Sequence, residues 1–182
     1  MTDTVTLHAL TPADRPLVDR LWQLYRHDLS EFRGDLPDAE GRYRDGRLDL
    51  YLGPGSEVAA GTAHLIRWAR AGSAPAPAGL VMARRAPAGG HVLGEFFVVR
   101  AARRHGVGGA AARRVLACRP GRWEIAFQEE NPVAARFWRR LAADVVGAGW
   151  RQEARAVPGR PDLPPDVWLT LEVPGPQAPA FP

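Results

Sequence analysis

Lysine is missing from this chain: all 24 of its Lys+Arg positions are arginine. With abundant Ala, Gly and Pro, that absence fits a genomic base composition better than a functional demand. Cysteine is nearly missing too. The single Cys118 excludes an internal disulfide and a cysteine-built metal cluster, which fits a reducing, intracellular setting. No apolar run approaches the ~18 residues that span a bilayer. The N-terminal MTDTVTLHALTPAD has neither the basic nor the apolar stretch of a signal peptide. These absences lead us to expect a cytoplasmic protein with no membrane partner. The histidines, His8, His27, His64, His91 and His105, have no metal-ligand spacing with one another, so no metal site is expected. Internal repeats are lacking as well.

What is present suits a globular chain. The 182 residues are 46% hydrophobic and 24% charged, enough for one domain with a sizeable core. The expected organisation is one domain over 1–173 and a flexible tail over 174–182. Formal net charge is +4. Arginines crowd residues 100–140 and acids crowd 28–49, which fits an anionic ligand at one end and a cationic one at the other. An ordinary solvated surface fits the same split.

Residues 4–10 alternate apolar and polar, as a short edge strand does. Thr11 and Pro12 read as a helix start, with Asp14 near the positive helix end. That helix is expected to run to about Ser30, with Leu17, Leu21, Leu24 and Tyr25 on one face and Trp22 beside it. Residues 38–56 are undecided, a second short helix being possible. Strands are expected over 58–69, 78–85 and 91–99, as an antiparallel meander. Glycines at 106, 108 and 109 lead into a helix with Val107, Ala111 and Val115 on one face. A strand over 123–128 follows, then a helix opened by Asn131–Pro132 with Val133, Phe137 and Leu141 in phase. Residues 149–156 and 167–173 read as strands around a Pro-rich loop.

The stretch from 91 to 120, HVLGEFFVVRAARRHGVGGAAARRVLACRP, says most about function. An apolar strand runs into an arginine-bearing turn, then glycines, then a helix. Such a layout points backbone N–H groups and a positive helix end at one anion, and Arg103 and Arg104 add charge-assisted donors. Glycines serve where a Cβ would block the turn or a phosphate. Tight helix packing beside a surface arginine cluster is the plainer reading. Neither GK[ST] nor the dinucleotide G-x-G-x-x-G spacing is present.

RRHGVG at 103–108 resembles the R-x-x-G-x-G motif of the GCN5-related N-acetyltransferase (GNAT) superfamily, which cradles the pyrophosphate of acetyl-coenzyme A. ENPVAARFW at 130–138 is similar to that superfamily's N-x-x-A-x-x-F-Y segment. The order of elements agrees from about residue 4 to 173. The resemblance implies an α/β, GNAT-like acyl-CoA N-acyltransferase fold. Its central sheet would be mixed and mostly antiparallel, of six or seven strands, flanked by helices on both faces and splayed at the cofactor site. It also implies that Phe96, Phe97 and Val98 line the acyl and pantetheine arm. Arg103, Arg104, His105, Gly106, Val107, Gly108 and Gly109 would wrap the pyrophosphate, and Asn131, Phe137 and Trp138 would contact the pantetheine and thioester end. From the residues alone, Phe96, Val98 and Phe137 are also ordinary core positions, and Asn131 also reads as a helix cap.

Glu95 is the candidate acid/base or amine-orienting group, because a carboxylate in an apolar strand needs a partner or a cleft. A structural salt bridge or an outward-facing position would satisfy it equally. GEFFV at 94–98 is similar to the E-D-F-F-V of polyamine acetyltransferases, with Gly94 in place of their glutamate. Trp138 stands where the family often has tyrosine and has no hydroxyl to protonate a leaving thiolate. Tyr25, Asp28, Glu31 and Glu129 are candidate acceptor-site residues. For Asp28 and Glu31, a solvated helix end is the alternative. Cys118 reads as a small buried helix residue.

The expected activity is transfer of an acetyl group from acetyl-coenzyme A to a primary amine of a small molecule or peptide, by direct attack in a ternary complex. Transfer of another acyl group and a catalytically silent acyl-coenzyme A-binding module are the alternatives. Nucleic acid is not an expected partner, since Glu129 and Glu130 interrupt the arginines and the aromatics fall at core-like positions. Monomer and homodimer are both compatible with the sequence.

Overall fold

The computed structural model describes residues 2–53 and 63–175. Seven strands form one sheet in the order β1-β2-β3-β4-β5-β7-β6: β1 Thr4–Ala9, β2 Ala63–Ala69, β3 Ala76–Arg85, β4 His91–Val98, β5 Gly121–Phe127, β6 Trp150–Arg155 and β7 Asp166–Val173. The helices are α1 Arg15–Arg33, α2 Asp49–Leu52, α3 Val107–Ala117 and α4 Pro132–Val146. The sheet is mixed. Antiparallel ladders join β1 to β2, β2 to β3, β5 to β7 and β6 to β7, while β4 runs parallel to β5. Residues 58–62 of the strand expected over 58–69 lie outside the described residues, as does most of the expected tail.

Two compact units make up the chain: Met1–Arg84 with Gly94–Ala111, and Arg85–Leu93 with Ala112–Pro182. In the first, α1 opens after a capping box in which Thr11 N donates to Asp14 Oδ2 at 2.8 Å. It stops at Gly34, whose φ of 67° lets its N–H cap Ser30 O. Val18, Leu21 and Trp22 pack into a core with Leu48, Tyr51, Leu52, Leu65, Leu80, Met82 and Phe97. Of the expected face, Leu21 lies in this core and Leu17 and Tyr25 pack against it, with Val18 and Trp22 beside them. Leu24 is the exception, at 52% exposed, so the buried stripe runs through Val18 and Trp22 instead. The chain after α1 is held along it. Gln23 clasps the backbone of Tyr43, accepting from its N at 2.7 Å and donating to its O at 3.1 Å, and Trp22 Nε1 donates to Arg44 O at 2.9 Å.

In the second unit β7 lies between β5 and β6, pairing with both. Its neighbour β5 buries Trp123, Ile125 and Phe127. Helix α4 presents Ala135, Trp138, Leu141 and Ala142 to the interior, whereas Val133 is 66% exposed. Of the expected Val133–Phe137–Leu141 face, Leu141 is buried and Phe137 half-buried, and the correction falls on Val133. This first-turn residue beside the cap lies beyond the packed stripe, which runs through 135, 138, 141 and 142. Cys118 follows the end of α3 and is exposed, against the expectation of burial. Among the described residues no helix is long and apolar enough to cross a membrane.

Gly79 marks the tightest strand approach in the first unit. A Cβ there would lie 2.0 Å from Phe97 O and 3.0 Å from Val98 Cα, both backbone atoms that have no rotamer to yield. Gly79→Ala is expected to destabilise the protein by ~3 kcal/mol or more in urea unfolding. Gly46→Ala, whose Cβ would meet nothing within 4 Å, is expected to change stability far less.

Candidate functional site

The anion-binding features of the first unit follow from how β4 ends. After Val98 the chain makes a 3-10 turn over Arg100–Ala102, and Arg103 is extended (φ −73°, ψ 152°). Arg104 then takes φ 67°, the one positive value among the described non-glycine residues, and Gly106 follows at φ 76°. Handedness so alternates along 103–106, a geometry that turns successive N–H groups toward a common concavity. Helix α3 begins at Val107, and its first-turn amides have no intrahelical acceptors. A left-handed arginine costs on the order of 1 kcal/mol, a strain of the kind that collects at binding sites.

The side chains at this turn are arranged differently from the sequence expectation. Arg103 donates from Nε to Val98 O at 2.8 Å, and its Nη2 pairs with Asp28 Oδ2. Arg100 clamps the other oxygen of Asp28, with Nε at 3.0 Å and Nη2 at 2.8 Å. Burial would raise the Asp28 carboxyl, but the two guanidinium groups outweigh it and hold it below its usual range. A candidate phosphate ligand and a candidate amine ligand are therefore paired with each other. What the turn offers an anion is its backbone, with Arg104 exposed beside it. His105 is exposed and stacks against Trp68 with ring centroids 5.1 Å apart.

The other candidate group of the first unit sits in the core. Glu95 is only 2% exposed. Tyr25 donates its hydroxyl to Glu95 Oε2 at 3.0 Å, and Arg47 Nε lies 3.2 Å from Oε1. The Arg47 contact is an ion pair without hydrogen-bond alignment, so Oε1 is buried and lacks an aligned donor among the described residues. Burial pushes the Glu95 carboxyl up, with the Arg47 charge and the Tyr25 bond pulling the other way. Tyr51 closes the pocket, its hydroxyl pushed up to about 12 by burial and by the Glu95 charge. Gly94 makes room for it, since a Cβ there would meet Tyr51 Oη at 2.2 Å. The glycine that departs from the polyamine pattern thus has a local physical reason. Tyr25 also packs on Trp22 and Phe97, with centroids 5.4 and 5.6 Å apart. Arg47 and Tyr51, in the undecided 38–56 stretch, are the residues sequence reasoning missed.

The remaining candidates are placed as follows. Phe96 is half-buried, while Phe97 and Val98 are buried on β4. Glu31 is exposed near the end of α1. In the second unit, Asn131 caps α4 by accepting from Ala134 N at 3.0 Å. Phe137 and Trp138 meet edge to face at 4.7 Å. Glu129 accepts from Arg139 at 2.8 and 2.6 Å. Among the described residues no His/Cys/Asp/Glu cluster could hold a metal ion.

The sequence matches no protein-family model and no curated protein. Solved structures match it over nearly its whole length. The Escherichia coli ribosomal-protein-S18-alanine N-acetyltransferase is 13% identical with a TM-score of 0.57, covering 98% of this chain and 99% of its own. A GNAT-family acetyltransferase from Staphylococcus aureus is 12% identical with a TM-score of 0.58, over 91% of this chain and 98% of its own. An aminoglycoside acetyltransferase solved with coenzyme A and kanamycin is 15% identical with a TM-score of 0.55, over 93% and 95%. The chain has the GNAT fold, a mixed and mostly antiparallel seven-stranded sheet flanked by helices.

The Glu95 environment has a consequence for stability. Its folded-state affinity for protons exceeds the unfolded one, so the native protein binds the extra proton. Stability supplied by that proton is present below the ordinary carboxyl range and is lost as pH rises through the folded value. Thermal melts of wild type and Glu95→Gln are expected to diverge as pH increases from about 4.5 upward, with the wild type losing ground. Parallel melting curves across that range would contradict the assignment.

Proposed function

We propose that this protein is an acetyl-coenzyme A-dependent N-acetyltransferase that acetylates a primary amine. The observation that carries the reading is the 103–106 turn, alternating in hand and emptying into the N-terminus of α3, in a chain of GNAT fold. The donor set fits a diphosphate: backbone N–H groups and a helix end serve an anion with no need of metal. Acceptors named for proteins of this fold range from a ribosomal-protein alanine to kanamycin, so the fold leaves the acceptor open.

When bound, acetyl-coenzyme A supplies an acyl thioester whose C–S bond breaks as the amine forms its C–N bond. The amides of residues 104–109 would hold the pyrophosphate, with Arg104 adding charge. Phe96, Phe97 and Val98 would border the acyl arm through β4. An arriving ammonium must lose a proton before it attacks. Glu95 accepts that proton, its basicity raised by burial. Trp138 has no hydroxyl and would not donate a proton to the leaving thiolate.

Calorimetric titration of acetyl-coenzyme A into the wild type is expected to show binding. Gly108→Asp is expected to weaken it about tenfold or more, by placing a carboxylate against the phosphates. Thiol release across a panel of primary amines tests turnover. With an accepted amine, kcat/KM is expected to rise with pH through a value above the ordinary 4.5 of a glutamate. Glu95→Gln is expected to lower the rate by about 100-fold and remove that limb. Binding without thiol release for any amine would mark a silent acyl-coenzyme A-binding module instead.

A further inference from the structure

We infer that Arg47 occupies the cation position of the acceptor site, and that the acceptor is a monocationic primary amine that displaces it from Glu95. This rests on the transferase reading for its biological sense, but the argument stands on the pocket alone. The two partners of the ion pair differ sharply: the Arg47 side chain is 60% exposed and that of Glu95 is 2% exposed. A guanidinium already largely in water loses little by swinging away. A carboxylate that is nearly sealed off cannot remain charged and unpaired. Glu95 therefore demands a cation, while Arg47 places no comparable demand on Glu95. The arrangement is one of exchange.

Geometry supports exchange by the side chain alone. The main chain around Arg47 is anchored on both sides. Leu48 is fully buried, and Arg15 bridges Asp49 at 2.7 Å and Asp45 at 3.6 Å. The oxygen that the guanidinium would leave is an open place for another cation. Glu95 Oε1 is buried without an aligned donor, so an incoming N–H group finds an acceptor in waiting. Tyr25 holds the other oxygen at 3.0 Å. Trp22, Tyr25 and Phe97 form an aromatic cluster beside it, a surround that favours cations with short apolar stems.

The charge count favours one cationic head. Asp28, an acid expected from the sequence to help, is saturated by Arg100 and Arg103. A polyamine would find that buried anion already taken and only the solvated Glu31 of the same helix left.

The test uses n-butylammonium chloride as probe and 1-butanol as its neutral counterpart, titrated calorimetrically at about pH 8, where the probe is charged. Arg47→Ala is expected to bind n-butylammonium about tenfold tighter than wild type. The double variant Arg47→Ala/Glu95→Gln is expected to lose that gain, and 1-butanol is expected to show no difference among the three proteins. Arg47→Gln, which keeps the length of the stem, is expected to reproduce the gain and guards against a folding defect in the alanine variant. Equal or weaker binding of n-butylammonium by both Arg47 variants would overturn the inference, as would a gain that survives Glu95→Gln. Failure of acetyl-coenzyme A to bind the wild type would remove the transferase reading and leave the ammonium result to be judged by itself.

Discussion

A carboxylate shut away from water is the constraint around which the first unit is organised. Glu95 must be compensated wherever the chain places it, and its surroundings show the compensation. Tyr25 comes from α1, Arg47 from the segment leading into α2, and Gly94 gives up its side chain so that Tyr51 can close the pocket. None of these features makes sense without the charge. An apolar residue at 95 would pack with less apparatus, so the carboxylate reads as retained for what it does chemically.

The turn after β4 follows a different logic. Its backbone carries the alternating φ signs on which the proposed anion site rests, while Arg103 ties it to α1 through Asp28. The same guanidinium lies over the Phe97 ring at 5.8 Å. An arginine that looked like a ligand thus serves as a brace. It fixes the angle at which the left-handed Arg104 and Gly106 leave the strand. Recognition by main-chain amides depends on such rigid presentation, since amides cannot adjust as side chains do.

Much of this was legible in the sequence, and the misses have identifiable causes. Thr11–Pro12 and Gly34 fix where α1 begins and ends, because caps are local chemistry. The lone carboxylate in GEFFV singled out Glu95, because burial of charge is improbable without a reason. Which face of α1 is buried was misjudged at Leu24, since a period-3.6 stripe does not reveal how far a bulky neighbour such as Trp22 rotates it. In α4, Val133 matched the period yet faces solvent, because its first-turn place beside the cap lies beyond the packed stripe. Arg47 was out of reach. It lies in a stretch without periodicity, and its partner is far away in sequence. The pairing of Asp28 with Arg103 was equally hidden. Each had an attractive separate role, and only tertiary structure brings them into contact.

The position of β7 has a consequence for the order in which the second unit comes into being. Because β7 fills the gap between β5 and β6, β6 has no sheet neighbour, and β5 has β4 alone, until residues 166–173 arrive. On the ribosome, where the chain emerges from its N-terminal end, β6 would wait unpaired and β5 would keep one open edge while β7 is still in the exit tunnel. The nascent protein therefore depends on β7 as a keystone, and a premature stop codon just upstream of it would release a product with two adhesive borders rather than a merely shortened chain.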